Sequence, residues 1–410
     1  MTFTRTVAPA PLEAAGTASC AQPFVPQRLR RLVGPRTERL MATAATALGL
    51  FVAARLCGVL VLAATAHLTG KSTFALLGRS WDSLWYLGIA TNGYGRTLHF
   101  EPGVVHSDLA FFPLYPALVR TVTAVVPLSG GAAGLLVSWA AAMAAAWGMY
   151  RVGVLLHGHG VATMLVLLWG LLPHSVVLSM AYTEPVLTAF AAWSLYAVLT
   201  GRWLWAGTLA ALAGASRPNG FAVAAAVIAA AGWEAWKRRG RVPRTLWTGA
   251  ALAPLGWCAF VLWVGFRKGD PLDGYFAVQR GWGSRFDFGA DSLDFVRHVL
   301  LEGDRMVFPM TMVIVAAAVL LYALLIADHA PLPLLVHSGT LLLITVAGSG
   351  FFESKPRFLL PAFPLLLPLA CALTRTARAR PLHAVLVVGA LAGLSMAYGT
   401  YLVAIADTPL

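Results

Sequence analysis

The sequence predicts an all-α membrane protein, a polytopic bundle of about eleven transmembrane helices with interfacial helices in the first outer loop. Three observations carry that expectation. The 410 residues are 59% hydrophobic and only 11% charged, a balance outside the range of soluble domains. Long apolar runs recur from residue 41 almost to the C-terminus. The net charge of +13 gathers in short clusters between those runs, which marks cytoplasmic loops and accounts for the basic balance without nucleic acid. Cys20, Cys57, Cys258 and Cys371 are too scattered for a disulfide framework or a metal site.

Residues 1–40 are rich in Pro and Ala and carry Arg5, Arg28, Arg30, Arg31, Arg36 and Arg39. No apolar core follows Arg5 closely enough for a signal peptide, so this stretch reads as a disordered basic cytoplasmic tail. Residues 41–410 read as a single polytopic domain with outer loops at about 68–130 and 267–304. The first span, 41–67, has Arg55 near its middle, where a charge must face the protein interior or snorkel. Further apolar runs lie at 111–127, 131–156, 161–182, 185–200, 203–235, 246–266, 305–327, 332–350, 357–374 and 382–405.

The basic clusters around Lys237, Arg238, Arg239, Arg241 and Arg244 and around Arg375, Arg378 and Arg380 should be cytoplasmic, like the tail. An even number of spans must then separate the tail from Lys237. Either 111–127 crosses the membrane and 203–235 is one span, or 111–127 only dips into the interface and 203–235 is two short spans. The second solution is favoured. Segment 111–127 is short and holds Pro113, Pro116, Pro127 and Arg120, which makes a poor span. Segment 203–235 is overlong and has the breaker Ser216-Arg217-Pro218-Asn219-Gly220 at its centre. The same solution places Arg151 and Arg202 inside. A half such as 203–215 is only about 20 Å long at 1.5 Å per residue, so neighbours must shield it.

The result is eleven spans in the cell membrane, with the N-terminus cytoplasmic and the C-terminus outside. Asp82, His106, Asp108, Glu184, Arg217, Asn219, Gln279, Lys355 and Arg357 then all lie on the outer side. Polar groups from five separate places on one face can form a site there.

Ser80 is placed to cap a helix that Asn92-Gly93 ends. Asp82, Trp85, Tyr86 and Ile89 share one face of it, which sets a carboxylate beside two aromatics on a helix expected to lie flat on the membrane. Asp82 can equally serve only the helix N-terminus. Thr183 can cap a helix begun by Glu184 and Pro185, either as structure alone or as part of a site. Ser216 can cap the helix that follows Pro218, and Arg217 beside this break is suited to an anion or carboxylate. Lys355 and Arg357 oppose a helix dipole, which suits a phosphate held between them or a pair of snorkelling anchors. Gln279 and Trp282 belong to the loop 267–304, a lid over substrate or simple packing. His106 and Asp108, two apart, are weak grounds for a metal.

One carboxylate facing guanidinium and ammonium groups divides naturally into a base for an acceptor hydroxyl and a clamp for a leaving phosphate. The outer face has no supply of nucleotide sugars, so a sugar donor there would be lipid-linked. No Walker loop, zincin motif or nucleophile elbow points to another reaction.

The run Trp81-Asp82-Ser83-Leu84-Trp85-Tyr86-Leu87, continuing through Ile89-Ala90 to Gly93-Tyr94, resembles the first-loop signature of the PIG-V-like mannosyltransferases. Phe111-Phe112-Pro113-Leu114-Tyr115-Pro116 is similar to the segment that follows it in that family. Ala181-Tyr182-Thr183-Glu184 resembles the family's Tyr-Ser/Thr-Glu motif, and Ser216-Arg217-x-Asn219-Gly220 its Ser-Arg-x-Asn-Gly. Lys355-Pro356-Arg357-Phe358-Leu359-Leu360-Pro361 is similar to its late Arg-Tyr/Phe-Leu-x-x-Pro element. The matches fall in family order from residue 79 to about 361.

The resemblance implies a multispanning glycosyltransferase of the C superfamily. Such an enzyme takes mannose from a polyprenyl phosphate carrier and inverts the anomeric centre, with no metal or other cofactor. The chain looks like a bacterial relative, so the acceptor is left as a glycolipid or glycan of the cell envelope rather than the GPI-anchor precursor of the eukaryotic branch. The implied partners are the polyprenyl-phosphate-mannose donor, that acceptor and the lipid bilayer. On this footing Asp82 is the catalytic base or acceptor orienter. Arg217, Lys355 and Arg357 form the phosphate clamp, and Glu184 and Asn219 position the sugar. Trp81, Trp85, Tyr86, Tyr115, Gln279 and Trp282 complete the expected substrate-binding set. The alternative from another class is a lipid or solute transporter with a broken-helix binding site, although no internal repeat is visible.

Overall fold

The computed structural model describes residues 35–100, 104–302 and 305–406. Most of the expected tail therefore lies outside the described residues. The first helix, α1 (Pro35–Leu68), starts earlier than the expected 41. Pro35 opens it at the position where a missing N–H is no loss.

The first loop holds the short α2 (Thr73–Gly78), then α3 (Asp82–Asn92), and a small antiparallel hairpin of β1 (Thr97–His99) and β2 (Val105–Ser107). Next comes α4 (Leu114–Val125), which packs against α3 and buries only Tyr115, Pro116 and Val119. Twelve residues rise about 18 Å at 1.5 Å each, well short of a bilayer, so this helix is no span by itself.

The central bundle follows: α5 (Gly130–His157), α6 (His159–Gly170), α7 (Glu184–Leu199), α8 (Trp203–Gly214) and α9 (Phe221–Lys237). Then α10 (Arg244–Leu252) runs into α11 (Leu255–Lys268). After α11 come α12 (Gly274–Gly281) and α13 (Ala290–Glu302). The last quarter is α14 (Val307–Ala327), α15 (Leu332–Ala347), the single turn α16 (Lys355–Phe358), α17 (Leu367–Ala379) and α18 (Pro381–Ala404).

Among the described residues, five helical stretches are long and apolar enough to cross a membrane: Thr43–Leu68, Gly130–His157, Arg244–Lys268, Val307–Ala327 and Pro381–Ala404. A sixth arises if the pair Phe352–Phe358 and Phe363–Ala379, bent by 78°, counts as one span. The sequence reading takes 357–374 as one span. Pro361 and Pro364 remove donors there and bend it.

The overlong run 203–235 is broken as expected. Between α8 and α9 stands a 3-10 turn, Pro218–Gly220. Gly220 is required by the close approach: a Cβ on it would lie 2.1 Å from the Ala213 carbonyl oxygen. Ser216 does not act as a cap, because its hydroxyl donates back to the Ala213 carbonyl at 2.6 Å.

The main core is shared by α1, α5, α6, α7, α17 and α18, with α6 packed on α1, α5 and α17 and α1 on α18, and with Phe51 stacked on Trp169 at 5.2 Å. Arg55 faces this interior. It donates to the Ser179 hydroxyl at 3.1 Å and the Gly170 carbonyl at 3.0 Å, and also reaches Ser175. Those contacts tie α1 to the turn Ser175–Ser179, which leads into Glu184.

Candidate functional site

Four segments distant in sequence meet at one end of the bundle: the starts of α3 and α7, the α8–α9 break, and α16. Asp82 is the first residue of α3. The chain reaches it through Trp81 at φ 45° and ψ −116°, a conformation that costs a non-glycine residue about 1–3 kcal/mol. The expected Ser80 cap is absent, because the Ser80 hydroxyl completes the preceding helix by donating to the Leu76 carbonyl at 2.6 Å. Thr183 stands at the cap position of α7 but makes no cap bond. Its hydroxyl instead accepts from Arg217 Nη1 at 2.8 Å and lies 3.2 Å from the Tyr86 hydroxyl.

Charges alternate through the cluster. Arg357 Nη1 is 2.7 Å from Asp82 Oδ2, and its Nε is 3.8 Å from Glu184 Oε1. Arg217 Nη1 is 2.6 Å from the same Oε1. Two carboxylates and two guanidiniums sum to zero, which is what makes their burial tolerable. Burial pushes the Tyr86 phenol up to about 12; Arg217 pulls against that shift, while Asp82 and Glu184 add to it. Tyr86 therefore keeps its proton and remains a donor at neutral pH.

The pairing is close but poorly directed. Both Glu184 oxygens, Arg217 Nε, and Arg357 Nε and Nη1 are buried without an aligned hydrogen bond. Spare hydrogen-bonding capacity on buried charges is expensive, and an entering polar ligand would relieve it. Asp82 is the accessible member, with 18% of its side chain exposed against 1% for Glu184. The faces of Tyr182 and Phe358 flank the guanidinium of Arg357 at 5.5 and 5.4 Å, a further favourable setting for a cation.

A second layer holds these groups in place. The Ser138 hydroxyl on α5 donates to the Tyr182 carbonyl at 2.8 Å and accepts from the Tyr182 N–H at 3.2 Å. It also lies 3.0 Å from the Tyr115 hydroxyl, which donates to the Gly134 carbonyl at 2.9 Å. The Phe111–Pro116 region is joined to the α8–α9 break by the Leu114 N–H, which donates to the Ala215 carbonyl at 3.1 Å. Ser138 and Gly134 were missed from the sequence. Each is one small residue in an Ala-rich helix, with no pattern to single it out.

The remaining expected site residues are placed differently. Lys355 turns away from Arg217 and Arg357, and its ammonium donates to the Ser292 hydroxyl and the Gly348 carbonyl. Asn219 is buried in the break, its Oδ1 without a hydrogen bond. Trp81 packs on the main core. Trp85 stacks on Phe111 at 5.7 Å and meets Trp282 edge-on at 5.1 Å. Trp282 donates to the Ser107 carbonyl, and Gln279 to the Ala110 carbonyl. Both thereby dock α12 on the first loop rather than reach the charged cluster.

His106 and Asp108 diverge. The His106 ring stacks on Trp282 at 4.0 Å, while Asp108 Oδ2 accepts from the Gly95 and Arg96 N–H groups at 2.8 Å each. Among the described residues no group of three or more His, Cys, Asp or Glu is gathered as for a metal ion.

The sequence matches no family profile and no curated protein. Among solved structures, the chain is similar to an oligosaccharyltransferase of Archaeoglobus fulgidus, crystallised with zinc and sulfate. The identity is 13% and the TM-score 0.48, over 87% of this chain and 54% of that one. The archaeal oligosaccharyltransferase AglB from the same organism, in complex with an inhibitory peptide and a dolichol-phosphate, gives 13% identity and a TM-score of 0.45. That match covers 86% of this chain and 55% of the other. The chain thus spans about half the length of these proteins.

Proposed function

We propose that this chain is an inverting membrane glycosyltransferase of the C superfamily, which transfers mannose from a polyprenyl-phosphate carrier to a hydroxyl of a glycolipid or glycan at the outer membrane face. The observation that carries the proposal is the meeting of Asp82, Glu184, Arg217 and Arg357 in one buried, incompletely bonded cluster with Asp82 at its open edge. Each of the four belongs to a motif that resembles the PIG-V-like pattern.

In the reaction, the acceptor oxygen attacks the anomeric carbon from the face opposite the phosphate, so one displacement inverts the centre. The carbon–oxygen bond to phosphate breaks and its electron pair leaves with the carrier. Asp82 takes the proton of the attacking hydroxyl. Charge grows on the leaving phosphate, where Arg217 and Arg357 can each present nitrogens that lack directed partners. As Arg357 turns to the phosphate, Asp82 is released to receive the proton. Lys355 joins the clamp by exchanging its two neutral partners for the phosphate. Glu184 holds both guanidiniums, and Asn219 offers its free Oδ1 to the sugar.

The decisive assay uses labelled polyprenyl-phosphate mannose and membrane lipid extract with wild-type protein and Asp82→Asn. An amide keeps the carboxylate's shape but cannot take a proton. The variant should lose about 10²–10⁴-fold in transfer while still binding donor. Retention of more than about a tenth of wild-type turnover by a monodisperse variant removes Asp82 as the base. Donor carried across a vesicle membrane without a new glycoside would instead identify a transporter.

A further inference from the structure

Further along α3 from Asp82, a cavity of about 330 Å³ opens between that helix and the chain leading to β1. Its size is at the lower end of small-molecule pockets, which run from about 300 to 1,000 Å³. Trp85, Gly88, Asn92, Tyr94, Arg96 and Asp108 line it. None of the last five belongs to the charged cluster.

Asp108 is 1% exposed, and its Oδ2 is occupied by the Gly95 and Arg96 N–H groups. Its Oδ1 is buried with no hydrogen bond. A carboxylate oxygen left in that state asks for a donor from whatever fills the cavity. The Arg96 guanidinium lies 4.8 Å from the centre of the Trp85 ring, and the Asn92 carboxamide adds both a donor and an acceptor. Gly93 and Gly95 hold φ of 77° and 147° with nothing within 4 Å of where a Cβ would stand, so that wall stays open.

We propose that this cavity binds the sugar of the acceptor, an uncharged pyranose; the assignment rests on the glycosyltransferase reading above. Asp108 opposes a phosphate there and Arg96 opposes an ammonium. A polyol, whose hydroxyls both donate and accept, matches carboxylate, guanidinium and carboxamide together. The position fits as well. Along α3 the cavity begins three residues, about 4.5 Å, beyond Asp82 and runs to Asn92, about 15 Å away. A sugar lying there directs a hydroxyl, or its attached neighbour, toward Asp82.

The test is equilibrium binding of radiolabelled octyl α-mannoside to the full chain in nanodiscs, which needs no donor. Wild type should bind saturably. Gly88→Leu fills the cavity on a helix that favours Leu over Gly, and only Arg96 Nη1, at 3.9 Å, approaches that position. That variant, and Asn92→Ala at an exposed position, should each weaken binding roughly tenfold or more, whereas Arg217→Lys should not. Absence of saturable binding, or equal binding by wild type and Gly88→Leu, overturns the site. Binding lost in Gly88→Leu but without any transfer from lipid-linked donor by wild type keeps the sugar site and removes the transferase reading.

Discussion

At the scale of single residues, Glu184 is the pivot, because one oxygen of it serves both Arg217 and Arg357. Glu184→Ala would leave Arg217 buried without its carboxylate, the kind of change that costs about 3–5 kcal/mol. A marked fall in thermal midpoint is therefore expected, and a much smaller one for Glu184→Gln, which keeps the shape. Arg217→Lys tests a different property. A planar guanidinium can hold Thr183 and Glu184 while presenting another nitrogen to phosphate, whereas an ammonium is a point charge. Donor KM should rise roughly tenfold in that variant, with acceptor KM little changed; unaltered donor affinity would take Arg217 out of the clamp. The four cluster residues were legible in the sequence because each sits in a short, distinctive motif. Which cation faces which anion was not, since that depends on distances across helices. Lys355 illustrates it: two residues from Arg357, its ammonium is held instead by Ser292 and Gly348.

Elements show the same division. The break in 203–235 was readable from Pro218 and the length of the run, while the bend in 352–379 was not, because the run 357–374 is of ordinary span length and its prolines at 361 and 364 do not by themselves fix an angle. Gly220→Ala puts the first idea to a physical test. Its Cβ would press on the Ala213 carbonyl, which is backbone and cannot swing aside. Overpacking of this kind typically costs about 1–3 kcal/mol, and it should displace Arg217 and Asn219 with the turn. Lower thermal stability together with reduced transfer is the expected pair of results. The hairpin adds a pH dependence. Burial against Trp282 holds the His106 imidazole below its ordinary 6.5. A depressed folded value means that the stack is fully present above about 6.5 and is lost as pH falls through the depressed value, because the undocked ring takes up the proton first. Protection factors in 97–99 and 105–107, taken relative to the intrinsic exchange rate at each pH, should thus fall between pH 7.5 and pH 5 in wild type, and His106→Phe should abolish that difference.

For the whole molecule, the bundle has two ends of different character. One gathers Asp82, Glu184, Arg217 and Arg357. At the other, the Tyr150 hydroxyl meets Thr43 and His159, and Arg378 lies against Gly160. Direction along the bundle follows from two close approaches: Gly249 packs on Trp203, and Gly214 on Trp257. Hence α8 and the α10–α11 pair run the same way, and α9 must return between them. A single unbroken helix over 203–235 could not give that arrangement, whereas two short helices with the turn at 218–220 do. The basic cluster from Lys237 to Arg244 then falls at the end opposite the charged site, and positive-inside bias would put that end in the cytoplasm. In a cysteine-free background, cysteines placed at exposed Arg239 and Arg378 should react with an impermeant reagent only from inside, and one at exposed Lys268 only from outside. Short helices such as α8 would then have to cross where neighbours shield them or the bilayer thins. Reaction of positions 239 and 268 from the same side would mean that α10–α11 does not cross, and the site could no longer be assigned to the outer face by counting helices.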